Sequence, residues 1–127
     1  MQRPLWLTLT ILAVAAGLAL AQPPSDLAAK GKKIYEDNCA DCHRSNGEGL
    51  PVKFPALKGN AFVQGSPDGV IQVLLNGRRG KMGRMPAWRE YLSDEEIAAV
   101  ASYIRNAWGN QAPVIPPEQV AAARKKK

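Results

Sequence analysis

Five residues constrain this chain more than any others: Cys39-Ala40-Asp41-Cys42-His43. The run is C-x-x-C-H, the spacing of a c-type haem attachment site. Two thiols three residues apart can each add to one haem vinyl group, giving two thioethers. The residue that follows turns its imidazole to the iron, and a neutral imidazole nitrogen is a good iron ligand. Rival readings are weaker. A structural zinc site needs four ligands, and the chain holds two Cys and one His. A thioredoxin-like pair belongs near a βαβ pattern, and the sequence offers none. A plain Cys39–Cys42 disulfide leaves the adjacent His43 unexplained.

At 127 residues the chain is the size of one small domain. Two Cys cannot staple a disulfide-rich scaffold, so an attached haem would supply the missing core. A formal net charge of +6 suits acidic partners or an anionic surface, although much of it sits in the tail. Nucleic acid is not among the expected partners. Residues 1–21 read as a secretory signal peptide: Arg3 is the positive start, Leu5 to Ala16 the apolar stretch, and Ala19-Leu20-Ala21 an A-x-A cleavage site. The rival is an uncleaved anchor, because Leu5 to Ala21 is at the short edge of what spans a bilayer. Cleavage is favoured, and the protein is expected to be periplasmic or otherwise exported. Membrane contact then comes only through a partner or an uncleaved anchor.

Along the mature chain, Ser25 is a candidate N-cap for a helix to about Asn38. Leu27, Gly31, Ile34 and Tyr35 share one face, with Lys32, Lys33, Glu36 and Asp37 opposite. Gly31 costs about 1 kcal/mol against Ala inside a helix, so it marks either a weak helix or a close approach, which is favoured. Residues 44–62 are irregular, with Phe54 and Leu57 as apolar pins, and so long a loop is usually functional. Ser66-Pro67-Asp68 opens another helix, and Asn76-Gly77 closes it. Arg78 to Trp88 is again irregular and carries Met82 and Met85. Ser93-Asp94-Glu95-Glu96 is a capping box. The helix after it places Ile97, Val100, Ala101, Ile104 and Trp108 on one face, with Gly109 as its stop. Pro113, Pro116 and Pro117 break the chain, Glu118 to Arg124 has room for two helical turns, and Arg124 to Lys127 reads as a solvated, frayed end. No stretch alternates like a strand. The expected divisions are residues 1–21 as signal, 22–109 as one domain and 110–127 as a Pro-containing basic extension.

Taken together these residues resemble a class I cytochrome c. The resemblance covers about Asp26 to Gly109. It rests on Gly31 and Tyr35 ahead of Cys39, on C-x-x-C-H, on Gly47-Glu48-Gly49 leading to Phe54-Pro55-Ala56-Leu57, on Met85-Pro86-Ala87-Trp88, and on the last helix with Val100 and Tyr103. It implies an all-α cytochrome c fold, with three main helices plus loops wrapped around one covalently attached haem c. It also implies a crossing of the first and last helices at Gly31, against Val100, Tyr103 and Ile104.

His43 is the expected proximal ligand, and as the only His it excludes a second one. The sixth ligand is then a Met, an unusual nitrogen such as Lys, or nothing. Met/His ligation raises the potential. Met85 matches the family's ligand motif, and Met82 is the competitor. The resemblance assigns Pro55 as the carbonyl that orients His43, with Pro51 as second choice. Trp88 is expected on the haem or at a propionate, the plain alternative being core. Arg78 and Arg79 are candidate propionate partners. Arg44, Lys53, Lys81, Arg84 and Arg89 are expected to ring an exposed haem edge and steer a monomeric carrier to an acidic redox partner, such as a terminal oxidase or dehydrogenase. The function implied is one-electron transfer between respiratory partners, not catalysis. The alternatives are a haem subunit of a larger dehydrogenase or oxidase and, further off, an open-site haem enzyme or gas sensor.

Overall fold

A computed structural model describes residues 24–81 and 83–126. The signal-peptide reading of residues 1–21, and Met82, lie outside the described residues. Helix α1 spans Pro24–Asn38, starting one residue before the expected cap Ser25. It buries Gly31, Ile34 and Tyr35 and leaves Lys32, Lys33, Glu36 and Asp37 in solvent, as its periodicity requires. A one-turn helix, α2 (Ala40–His43), follows at once. The irregular stretch after it holds a second one-turn helix, α3 (Ala61–Gln64), which the sequence reading missed. Its signal was Asn60, whose side chain caps the backbone N–H groups of Phe62 and Val63.

Helix α4 (Pro67–Asn76) has Pro67 in its first turn, although the Ser66 side chain makes no cap bond. It buries Val70, Ile71, Leu74 and Leu75. A small antiparallel hairpin then pairs β1 (Arg78–Gly80) with β2 (Gly83–Met85) in the register Arg78↔Met85, Arg79↔Arg84 and Gly80↔Gly83. No strand was expected here. Three-residue strands with glycines at the turn carry no readable alternation.

Helix α5 (Asp94–Ile104) starts on the expected capping box: Ser93 and Glu96 each accept the other's backbone N–H. It ends at Ile104, five residues before Gly109. Arg105, its C-cap, buries its guanidinium against the carbonyls of Val63 and Gly65, at 2.8 and 2.9 Å, and Trp108 takes a left-handed φ of 56°. Helix α5 is the centre of the core and packs chiefly on α1. The Gly31 contact is corrected in detail. A Cβ there would collide with the carbonyl of Ala99 and lie 2.7 Å from the Cβ of Tyr103. Val100 and Ile104, on the neighbouring stripe of α5, line a cavity instead.

The basic extension is folded as well. Helix α6 (Pro117–Lys125) packs on α4 and α5, and Ile115, Val120 and Ala123 are buried. The expectation of a frayed end fails at Arg124. Its Nε donates to Asp94 Oδ1 at 2.7 Å and its Nη2 to the Leu92 carbonyl at 2.9 Å. A cation at a chain end looks the same in sequence whether hydrated or docked. The expected three main helices are therefore joined by a fourth of similar length.

Candidate functional site

The backbone of α1 rolls directly into the C-x-x-C-H turn. Cys39 N–H donates to Tyr35 O at 2.8 Å, and His43 N–H to Cys39 O at 2.9 Å. One helical turn therefore presents Cys39, Cys42 and His43 together. Neither cysteine is in a disulfide, and both are half-buried. Burial, and then the neighbouring Cys42, push the Cys39 thiol up to about 12. No group of three or more His, Cys, Asp or Glu among the described residues could hold a metal ion.

His43 is buried, and its Nδ1 lies 2.9 Å from the carbonyl oxygen of Pro55. A carbonyl only accepts, so Nδ1 carries the ring proton and Nε2 keeps its lone pair. Pro55 is held by its loop. Leu50 and Phe54 form an antiparallel bridge, and Gly47 O accepts from Leu57 and Lys58. Gly47 has φ +70°, and a Cβ there would strike the Trp108 ring. Trp108 in turn donates from its indole nitrogen to Ser45 O at 2.9 Å. Its ring joins Tyr35 and Tyr103 in a cluster with centroids 5.1 to 5.7 Å apart. Tyr35 donates to Arg44 O at 2.6 Å, and burial raises its phenol well above the usual range. Asn110, buried beyond the end of α5, bonds Gly59 N–H, Leu57 O and Ile104 O. Neither Asn110 nor Arg105 was singled out from sequence, and no local pattern marks either.

Cys39, Cys42, His43 and Pro55 open onto a cavity of about 390 Å³, the size of a small-molecule pocket. Val70 and Leu74 of α4 and Val100 and Ile104 of α5 make it apolar, and Met85 and Trp88 line it too. Trp88 also meets Tyr91 edge-on at 6.3 Å. The residue set fits a haem: two thiols, an imidazole with a free Nε2 and a thioether border one apolar space. Of the expected cations, Lys81 and Arg84 border it, together with Arg78, whose guanidinium lies 5.3 Å from the Phe62 ring centroid. Arg79 is exposed on β1. The Lys53 carbonyl comes close to Gly83. Arg44 and Arg89 do not join this ring. Arg44 lies in a separate hollow with Asp41 and Glu48. Arg89 turns to the Arg124 carbonyl at 2.8 Å and to Asn76 at 2.9 Å.

Residues 26–104 match the sequence family described as cytochrome c oxidase, cbb3-type, subunit III. The chain belongs to the cytochrome c family. This cytochrome c is 36% identical to cytochrome c-552 of Thermus thermophilus, covering 94% of its own length and 95% of the relative's. It is 37% identical to the cbb3-type cytochrome c oxidase subunit CcoP of Azospirillum brasilense, but spans only 34% of that protein. It is 35% identical to the cytochrome c subunit of the quinone alcohol dehydrogenase of Gluconobacter oxydans, and spans 19% of it. The c-type cytochrome XoxG of Methylobacterium extorquens shares the fold, with a TM-score of 0.54 at 23% identity over 79% of this chain and 66% of that one. The cytochrome c is an electron carrier that binds haem c covalently, and its fold is all-α apart from the one hairpin. Among the described residues no helix is long and apolar enough to cross a membrane.

Proposed function

We propose that this cytochrome c passes single electrons between respiratory redox partners, with Cys39 and Cys42 as the residues that would anchor the haem by thioethers and His43 and Met85 as those that would hold its iron. The observation that carries the reading is the convergence of those four side chains on one apolar cavity. The bound haem supplies one-electron exchange at its iron. The chain's part is to hold still. The Pro55 carbonyl fixes the His43 ring and its tautomer. Met85 offers a soft thioether that favours the reduced metal, and the apolar walls keep water out. Trp88 packs at the same cavity rather than acting in chemistry.

The protein is exported by cleavage after Ala21 and works as a monomer. It docks by the cationic side of the cavity, where Arg78, Lys81 and Arg84 attract an acidic partner such as a terminal oxidase or dehydrogenase. A second reading, a subunit docked permanently in a larger complex, is favoured by the likeness to CcoP and to the dehydrogenase subunits. Gel filtration of a native extract separates the two. The ligand assignment is tested by visible spectra of the oxidised protein. The weak far-red band of iron–thioether ligation should vanish in Met85→Ala and survive in Met82→Ala. The reverse pattern transfers the role to Met82.

A further inference from the structure

Met85 ends β2, and the chain then runs from Pro86 to Leu92 without a helix or strand. Two backbone bonds lay this segment on the end of α4. Trp88 N–H donates to Leu74 O at 2.9 Å, and Arg89 N–H to Leu75 O at 3.2 Å. They satisfy carbonyls that the helix end leaves open. The rest of its attachment comes from residues about 35 positions later in the chain. The Arg124 guanidinium donates from Nη1 to Arg89 O, from Nη2 to Leu92 O and from Nε to Asp94 Oδ1. Arg89 returns the contact, donating from Nη1 to Arg124 O. Each arginine thus closes on the other's carbonyl, and one fork spans the segment and the first turn of α5. The Arg124–Asp94 pair is the least exposed of the four ion pairs among the described residues, at 26% and 30%. The others are surface pairs, and such pairs contribute little. A helix as short as α6 is not stable alone. It is held by Ile115, Val120 and Ala123 beneath it and by this fork at its end.

We propose that α6 is a strap and that Arg124 is a positioning residue. Its fork holds the Met85-to-Leu92 segment against α4 and so sets how persistently Met85 stays at the cavity. The inference rests on the reading of Met85 as ligand. A helix that merely added stability would leave the Met85 side and the rest of the fold to melt as one. A strap on this one segment makes its release a separate event.

The test uses full-length holoprotein carrying Arg124→Ala. Two melts are followed in parallel on the oxidised form: the far-red thioether band and the far-ultraviolet helical signal. Amide hydrogen exchange is measured at Trp88, Arg89, Ile97 and Val100. The expected result is a band that fades well below the helical melt, with a gap wider than that of the unaltered protein. Protection at Trp88 and Arg89 should fall about tenfold or more, with Ile97 and Val100 unchanged. A gap no wider than that of the unaltered protein, with uniform exchange, overturns the proposal. If Arg124→Ala does not fold, Arg124→Lys and Asp94→Asn loosen the fork in milder form. They should show the same widening at smaller size, and its absence in both is equally fatal. Met85→Ala separates the two readings. A far-red band that persists there refutes the ligand assignment, whereas exchange at Trp88 and Arg89 still reports on the strap.

Discussion

His43 sits in a segment that is tied at nearly every residue, whereas Met85 ends a three-residue strand with one partner strand. On the His43 side, the turn bonds back to α1, Gly49 N–H reaches His43 O, Gly47 O takes two donors, and Tyr35 and Trp108 pin Arg44 and Ser45 from the core. On the Met85 side, the hairpin sets Arg79 directly opposite Arg84. Like charges facing across strands destabilise pairing. No ion pair among the described residues relieves them. The difference teaches that the His43 wall of the cavity is rigid along its length, whereas the hairpin that leads into Met85 is lightly held. Light holding on an exposed, cationic edge suits the proposed docking, because the same charges that strain the hairpin would attract an acidic partner.

The largest expected effect tests the rigid side. Gly31→Val puts a branched side chain into the Ala99 backbone and should cost about 3 kcal/mol, read as a fall in Tm of more than about 10 °C. An unchanged melt would mean that the α1–α5 crossing yields, and the contrast between the two walls would lose its basis. Next in size is a pair of glycine substitutions. Gly47→Ala, in a left-handed conformation under Trp108, should cost about 1–3 kcal/mol. Gly80→Ala in the hairpin meets open space and should stay within about 0.5 kcal/mol. Denaturant titration measures both, and equal costs would erase the distinction.

A kinetic effect follows on the docking side. Reversing Lys81 and Arg84 to Glu should slow electron transfer to an acidic oxidase roughly tenfold at low salt and flatten its salt dependence. Deleting only Lys125 to Lys127 should do less. That deletion spares Arg124, which is structural, so it is a cleaner control than removing the whole basic end. A larger effect from the tail moves the docking site there. The smallest effect belongs to the hairpin itself. Arg79→Glu turns a repulsive cross-strand pair into an attractive one and should add about 0.2–1 kcal/mol. A loss of stability would show that the cations are satisfied in a way the register does not reveal.

Much of the site was legible before the fold. C-x-x-C-H announces itself because thioether attachment demands that spacing within one turn. Ser93 to Glu96 does so because capping is chemistry between residues three apart. Gly31 was readable as a close approach, and Tyr103 as one of its partners, but Ala99 was not. Residues 99 and 100 both lie toward the core of α5, and only packing decides which faces α1. The same limit applies to the cations. Arg44, Arg84 and Arg89 are equivalent as letters, yet Arg84 borders the cavity while Arg44 and Arg89 face elsewhere.

The sequence by itself determined the haem-binding turn, the amphipathic face of α1, the capped start of α5, the ends of α4 and the family. All of these are set by covalent spacing, helical period or capping within a few residues. Only the tertiary structure decided that Arg105 is buried among carbonyls and that Arg124 closes on Arg89, and only it brings Pro55 O, which the resemblance had assigned, to His43. Those contacts join segments from about a dozen to more than forty positions apart. The physical reason is that a polar side chain has two good outcomes, water or a backbone partner. Which one wins depends on what the rest of the chain brings near it.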